Sequence, residues 1–289
     1  MFLQQLVTGI SVGGIYALLA TGYSLIYSLL DFSNWAHGEF AMVSAYVAIV
    51  LSNIMGMPFV LAAIGGMMGG ALVSFLCERL AYRRIRRNGA PNMFLMIAAM
   101  GLSNMFQQAA NLIFSGQYRS YPFKLPVSTI QVASAYIGVL DLVSLGITAV
   151  IIAILVYLIN KTQFGLNVRA IACNAHAAKV LGVKVDRCIA TVFVLAGALA
   201  GVAGVLYGMK YNVFPTMGNV GLKAFIASVI GGLGSVPGAI VGAIILGVIE
   251  TFVSAFVSSS LRDFFSFALL IVLLLVKPSG LFGVDVQDK

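Results

Sequence analysis

Charge is what this sequence has least of. Asp, Glu, Lys and Arg make up 9% of its 289 residues, whereas a soluble domain carries about 25%. Seventeen basic and nine acidic side chains cannot give a chain of this length a water-facing shell, so an ordinary soluble globule is excluded. Disorder is excluded for the opposite reason, because 61% of the residues are hydrophobic. Cysteine is scarce and odd in number (Cys77, Cys173, Cys188), which supplies neither a disulfide framework nor a zinc set. There are two histidines, His37 and His176, and no His-Glu-x-x-His, so no metal site is expected. The dipeptide Gly-Lys never occurs, which rules out ATP binding by a P-loop. Neither a Gly-x-Ser-x-Gly nucleophile elbow nor a Thr-Val-Gly-Tyr-Gly filter is present. No catalytic residue, metal or cofactor is therefore expected. A polytopic membrane protein remains, and 31 glycines suit helices that pack closely in a bilayer.

The net charge of +8 could suggest nucleic acid, but its distribution points to a lipid bilayer and no nucleic acid. Ten of the 17 basic residues fall in two short stretches between apolar runs. One holds Arg79, Arg83, Arg84, Arg86 and Arg87; the other holds Lys161, Arg169, Lys179, Lys184 and Arg187. Cytoplasmic loops look like this under the positive-inside rule. The first basic residue is Arg79, so the N-terminal apolar segment lacks the basic flank of a cleaved signal peptide and reads as a retained span.

A span needs about 20 apolar residues. The expected spans are 6–29, 40–55, 59–80, 92–114, 136–159, 188–209, 238–257 and 261–276. A shorter apolar stretch, 222–233, ends in Gly231-Gly-Leu-Gly234. The fold class is thus an all-α polytopic membrane protein, with about eight transmembrane helices plus one short or broken membrane segment, and no domain boundary within 1–289. The N-terminus would lie outside and the C-terminus inside. If the short stretch fails to cross, Lys277 is stranded outside. External loops are expected at 115–135, with Arg119, Pro122, Lys124 and Pro126, and at 210–221 around Pro215.

Small residues recur four apart, as in Gly66/Gly70, Gly197/Gly201, Gly204/Gly208 and Gly238/Gly242. One helical turn separates each pair, which opens a face either to packing within the chain or to a second membrane subunit. Polar residues at membrane depth are functional candidates. Asn34, His37 and Glu39 stand between two apolar runs. They suit either a proton relay or the capping of a broken helix beside a pathway. Asn104, Gln107, Gln108 and Asn111 share one helical face, which can line a wet cavity or stitch helices together. Glu250 is a lone carboxylate, expected to be paired internally or to lie near a helix end.

The second basic loop, about 161–187, contains good helix formers from Ala170 to Leu181 and a natural stop at Gly182. A short basic helix between two spans is either a solvated topology anchor or a lever for a cytosolic partner. Phe164-Gly165, Arg169-Ala170-Ile171, Asn174, Ala177-Ala178 and Gly182 fall in the pattern FG-x-x-x-RAI-x-x-N-x-EAA-x-x-x-G. The loop therefore resembles the coupling segment of bacterial ABC importer permeases for branched-chain amino acids. It departs from that pattern at His176, where the family often has glutamate. Asn34-Trp-Ala-His-Gly-Glu-Phe40, Gly231-Gly-Leu-Gly-Ser-Val-Pro-Gly238 and Pro278-Ser-Gly-Leu-Phe-Gly283 are also similar to the LivH-type subunit.

The resemblance implies a permease that forms half a translocation pathway in the bacterial plasma (inner) membrane. It implies a second, LivM-like permease subunit, two cytosolic ATP-binding subunits that carry out hydrolysis, and an external substrate-binding protein. Arg169, Asn174, Ala177, Ala178 and Gly182 would belong to the ATPase-coupling segment. The competing reading is a stand-alone secondary transporter or channel with Glu39 or Glu250 as its coupling carboxylate.

Overall fold

The computed structural model describes residues 2–122, 129–132 and 135–283. Lys124, Pro126 and Lys289 lie outside them. Twelve α-helices follow in order among the described residues: α1 (Phe2–Leu30), α2 (His37–Ile49), α3 (Phe59–Cys77), α4 (Arg83–Arg87), α5 (Asn92–Phe114), α6 (Val139–Lys161), α7 (Gln163–Cys173), α8 (Ala175–Val180), α9 (Val185–Tyr211), α10 (Val220–Gly231), α11 (Val236–Phe256) and α12 (Arg262–Val276). A π-turn extends α2 to Ile54, and another joins α3 to α4.

Seven stretches are long and apolar enough to cross a membrane: 2–30, 37–54, 59–87, 139–161, 185–211, 236–256 and 259–276. The chain is a multi-pass membrane protein. Helix α5 has the length of a span, 23 residues, but is not among the seven. Its stripe of four amides lowers its hydropathy. Helix α10, with 12 residues, is the short segment expected from sequence.

Two loops expected to be external are more ordered than sequence alone suggests. Strands β1 (Thr129–Val132) and β2 (Ala135–Gly138) pair antiparallel where an irregular stretch was expected, and β2 takes the first residues of the expected 136–159 span. Residues 210–221 are not a free loop. Arg119 and Val213 exchange backbone hydrogen bonds of 2.8 Å, and Pro215, Met217 and Gly218 are buried in the body of the protein. Apolar Val213 and Met217 prefer that interior to water.

The basic stretches mark one side of the membrane. Arg83, Arg86 and Arg87 all pair with Asp186 at the start of α9, at 2.9–3.0 Å, which ties the two basic regions together. Asp31 at the end of α1, Ala172 of α7, and Gly234 and Phe282 line one cavity, so these segments end on the same side. Leu281 and Phe282 donate backbone bonds to Ile230 and Gly231. Helix α10 therefore runs to that side, and Lys277 lies on the same side as the two basic stretches.

The helices form two units of inverted order. Helices α1, α2 and α3 make one; α9, α10 and α11 make the other. Each has a long helix, a break (which holds a short 3-10 helix, Pro215–Asn219, in the second unit), a helix that begins inside the body, and another long helix. The first helix of each unit packs antiparallel along the third of the other. Gly9 and Gly13 of α1 meet Val248 and Ile244 of α11, and Gly70 of α3 meets Gly197 of α9. A Cβ on Gly13 would lie 2.8 Å from the Ile244 Cα, so only glycine permits this approach. The Gly66/Gly70, Gly197/Gly201, Gly204/Gly208 and Gly238/Gly242 pairs all face this chain's own atoms. Internal inverted repeats of this type place a binding site where the units cross.

Candidate functional site

The crossing point is built by two helices that begin in the interior. After α1 ends at Leu30 the chain turns back, and α2 starts at His37. The His37 ring nitrogen Nε2 lies 3.1 Å from the Leu19 carbonyl oxygen. Leu19 is eleven residues before the end of α1, or about 16 Å along the axis at ~1.5 Å per residue. That is about half the thickness of a ~30 Å hydrocarbon core. The start of α10 lies against the start of α2: a Cβ on Gly38 would fall 2.0 Å from the Gly218 carbonyl oxygen and 2.8 Å from Gly221. Two helix N-termini, each the positive end of a helix dipole, thus meet near mid-depth.

The turn before α2 is organised by Asn34. Its Oδ1 accepts the Ala36 N–H at 3.2 Å and the Tyr82 hydroxyl at 2.9 Å. The side chain of Ala36 at the N-cap makes no capping bond. His37 is fully buried, against Gly22 and between Tyr23 and Phe40. It fills the interior and does not line the cavity described next.

A cavity of about 190 Å3 lies at the crossing, lined on one side by Tyr23, Asn34, Trp35 and Glu39 and on the other by Ser103, Gly218, Leu222 and Phe225. Glu39 is 97% buried and projects from the first turn of α2. Its Oε1 accepts the Ser103 hydroxyl at 3.1 Å, while Oε2 has no hydrogen-bond partner among the described residues. Asn34 is 98% buried, and its Nδ2 is likewise without an acceptor. The cavity thus carries one free acceptor and one free donor in a wall shared by aromatic and aliphatic side chains with Ser103 and Asn219. Ser103 and the 215–219 turn had no signal in the sequence analysis. Only a long-range contact brings them to Glu39.

Glu250 lies elsewhere and is complete. It is fully buried on α11, where it accepts from Tyr16 Oη (2.9 Å), Arg262 Nε (2.7 Å), Lys223 Nζ (2.5 Å) and Ser266 Oγ (2.5 Å). Lys223 also reaches Asp263 at 2.5 Å. This knot joins α1, α10, α11 and α12, as the expectation of internal pairing requires. Four donors leave this carboxylate no free oxygen for a moving proton.

The amide stripe of α5 does not stitch helices. Asn104 Nδ2 bonds the Met100 carbonyl of its own helix, and no side-chain bond from Gln107, Gln108 or Asn111 reaches another helix among the described residues. Asn104 is exposed, as are Asn219 and Trp35 at the crossing. Exposed amides near mid-depth are costly against lipid.

The inner loop is two helices, α7 and α8, not the single helix expected from Ala170 to Leu181. The break is at Asn174, in extended conformation, whose Oδ1 accepts the His176 and Ala177 N–H groups at 3.0 and 2.9 Å. Asn is a strong N-cap, so it starts a new helix where Ala-rich propensity alone would have continued the old one. Arg169 donates to the Ile159 carbonyl at 2.8 Å, which pins α7 to the end of α6. Ala178 is buried and Ala177 is exposed. Gly182 has φ +88°, the left-handed stop expected of it. His176, where the pattern departs, is exposed.

Comparison with known proteins bears on the whole of this framework. Residues 5–274 match the family model described as "Branched-chain amino acid transport system / permease component". The chain is 36% identical over 302 residues to the high-affinity branched-chain amino acid transport system permease protein BraD of Pseudomonas aeruginosa, covering 100% of this chain and 98% of that one. It is 36% identical over 312 residues to the permease protein LivH of the same kind of system in Salmonella typhimurium and 35% identical to LivH of Escherichia coli K12, in each case covering 100% of this chain and 97% of the relative. A helical membrane body with polar groups held at mid-depth and a match that runs from the first helix into the last agree: the chain belongs to the family of permease components of branched-chain amino acid transport systems.

Proposed function

We propose that this chain is a permease subunit of an ATP-driven importer for branched-chain or related amino acids in a bacterial inner membrane. The single permease domain, 1–289, forms half of the pathway. A second, LivM-like permease subunit forms the other half. The exposed Asn104, Asn219 and Trp35 support this, because a polar face near mid-depth is stable against water or protein and not against lipid. An external binding protein delivers the substrate, and two cytosolic ATP-binding subunits supply the energy.

The observation that carries the reading is the geometry of the inner loop. Helix α8 projects Val180 and Leu181, 77% and 83% exposed, at its tip. Two large apolar side chains at the tip of a short basic helix fit a cleft on a cytosolic protein. The loop that holds them is anchored to α6 at two points, and a third bond closes the end of α8. Arg169 is bonded to the end of α6, and Gly165 packs directly on the Ile159 carbonyl. The Val183 N–H bonds the Ala178 carbonyl just before α9 begins. A push on α8 therefore reaches α6 and α9 without being absorbed by slack. Arg169 and Asn174 keep the segment rigid, Ala177 lies at the contact surface, Ala178 docks α8 inward, and Gly182 ends it.

The test is co-purification of the tagged chain from detergent extract, followed by ATPase assay. Recovery of a second permease and two ATPases, with hydrolysis stimulated by a loaded binding protein, is expected. A chain that purifies alone and moves amino acid into liposomes without ATP would overturn the reading. A finer probe is Ala177→Glu with Leu181→Glu, both exposed, which should abolish stimulated hydrolysis while the subunit stays in the membrane.

A further inference from the structure

We infer that the cavity at the crossing of α2 and α10 is a way-station for the zwitterionic head of the transported amino acid, with Glu39 Oε2 accepting from its ammonium and Asn34 Nδ2 donating to its carboxylate. The inference depends on the amino-acid import reading above and adds to it a place inside the permease.

Three observations carry it. First, the two polar atoms are unsatisfied although deeply buried, on residues 97% and 98% buried that line one cavity. A buried group without a partner is costly to keep, by about 1–3 kcal/mol each, so a chain that holds two of them at one place holds them for something that arrives. Second, they are one acceptor and one donor, set where the N-termini of α2 and α10 meet. The dipole of each helix favours negative charge there. A carboxylate is therefore welcome beside Asn34 and the helix starts, while an ammonium needs the acceptor that Glu39 provides. A simple anion would leave that opposed pair half used. Third, Tyr23, Trp35, Leu222 and Phe225 line the cavity beside Ser103 and Asn219, and they give an apolar side chain a surface to pack against. A cavity of about 190 Å3 lies below the ~300 Å3 of ordinary small-molecule pockets, so it admits one small solute.

The bonds already present are compatible with this role. Glu39 Oε1 is held by Ser103 and Asn34 Oδ1 by Ala36 and Tyr82, so each side chain is fixed at one end and free at the other. The close approach of Gly218 and Gly38 lets both helix starts reach the same small volume.

The test uses the assembled importer in liposomes and two near-isosteric variants. Glu39→Gln keeps the Ser103 bond and removes the carboxylate; Asn34→Asp keeps the turn-forming oxygen and removes the free donor. Wild-type uptake of labelled leucine, isoleucine or valine is measured first, and its absence would sink both the import reading and this inference. With wild-type uptake in hand, the quantity to read is amino acid moved per ATP hydrolysed. Each variant should lower it about tenfold or more, as a site built to hydrogen-bond its substrate does when a polar partner is lost. Assembly and hydrolysis stimulated by the loaded binding protein should stay at wild-type level. Unchanged transport per ATP in both variants overturns the way-station and leaves the import reading standing. A parallel fall in uptake and hydrolysis also overturns it, because that is what a merely structural role would give. If either variant fails to assemble, Ser103→Leu, at a half-buried wall position, fills the cavity instead. It should show the same loss, and normal transport through it would overturn the inference.

Discussion

Four carboxylates are buried among the described residues, Glu39, Glu78, Asp141 and Glu250, and two of them, Glu39 on α2 and Glu250 on α11, are in opposite states. Glu250 accepts from Tyr16, Arg262, Lys223 and Ser266, and both its oxygens are used. Glu39 accepts from Ser103 alone, and one oxygen is free. The first is a finished knot that ties α10 and α12 to α1 and α11. The second stands at the edge of a cavity beside an unsatisfied amide. Burial by itself thus does not distinguish Glu39 from Glu250; the completeness of their hydrogen bonding does. A group that must meet a passing solute has to stay incomplete, and one that only holds helices together is most stable when complete.

The comparison predicts a graded series, read as recovery of monodisperse, detergent-solubilised complex after a heating ramp. Glu250→Gln should be the most damaging, at up to about 3–5 kcal/mol, because it takes the main counter-charge from the half-buried Arg262 and Lys223. Survival of that variant at wild-type stability would break the contrast. Tyr16→Phe removes one donor of four to a charged acceptor and should cost about 1.5–3 kcal/mol. Gly38→Ala drives a methyl group into the Gly218 carbonyl oxygen, 2.0 Å away. It should cost about 1–3 kcal/mol by overpacking and, unlike Tyr16→Phe, should also impair uptake, because it wedges the crossing apart. Glu39→Gln should cost least, under about 1 kcal/mol, since Ser103 keeps its acceptor. Its effect belongs in transport and not in stability. If Glu39→Gln proves as destabilising as Glu250→Gln, the two acids are alike and the distinction fails.

Much of the fold was legible from residue order. The spans at 59–80, 188–209 and 238–257 agree with α3, α9 and α11 to within a few residues, because about 20 consecutive apolar residues form a local signal. The inner loop was legible as a basic helix ended by Gly182. Its division at Asn174 was not, because Ala-rich propensity on both sides hid the cap. The Glu39 region was legible only as polar residues between apolar runs. Nothing near Glu39 in the chain announces Ser103, 64 residues on, or the 215–219 turn. The 210–221 stretch read as an external loop because Lys210, Asn212 and Pro215 look solvent-loving. In the structure Lys210 pairs with Asp141 and Pro215 is buried.

The sequence by itself determined that this chain lives in a membrane, that its basic residues gather in loops between spans, and what family pattern the 161–187 loop carries. Each of those depends on the transfer cost of a short stretch or the charge beside it, and such costs add up locally. Only the tertiary structure decided which buried polar groups are satisfied. That depends on whether a partner from a helix up to 246 residues away, as Arg262 is from Tyr16, lies within hydrogen-bond reach. The same long-range packing brought the starts of α2 and α10 together and so separated Glu39 from Glu250, two acids that the linear chain presents alike.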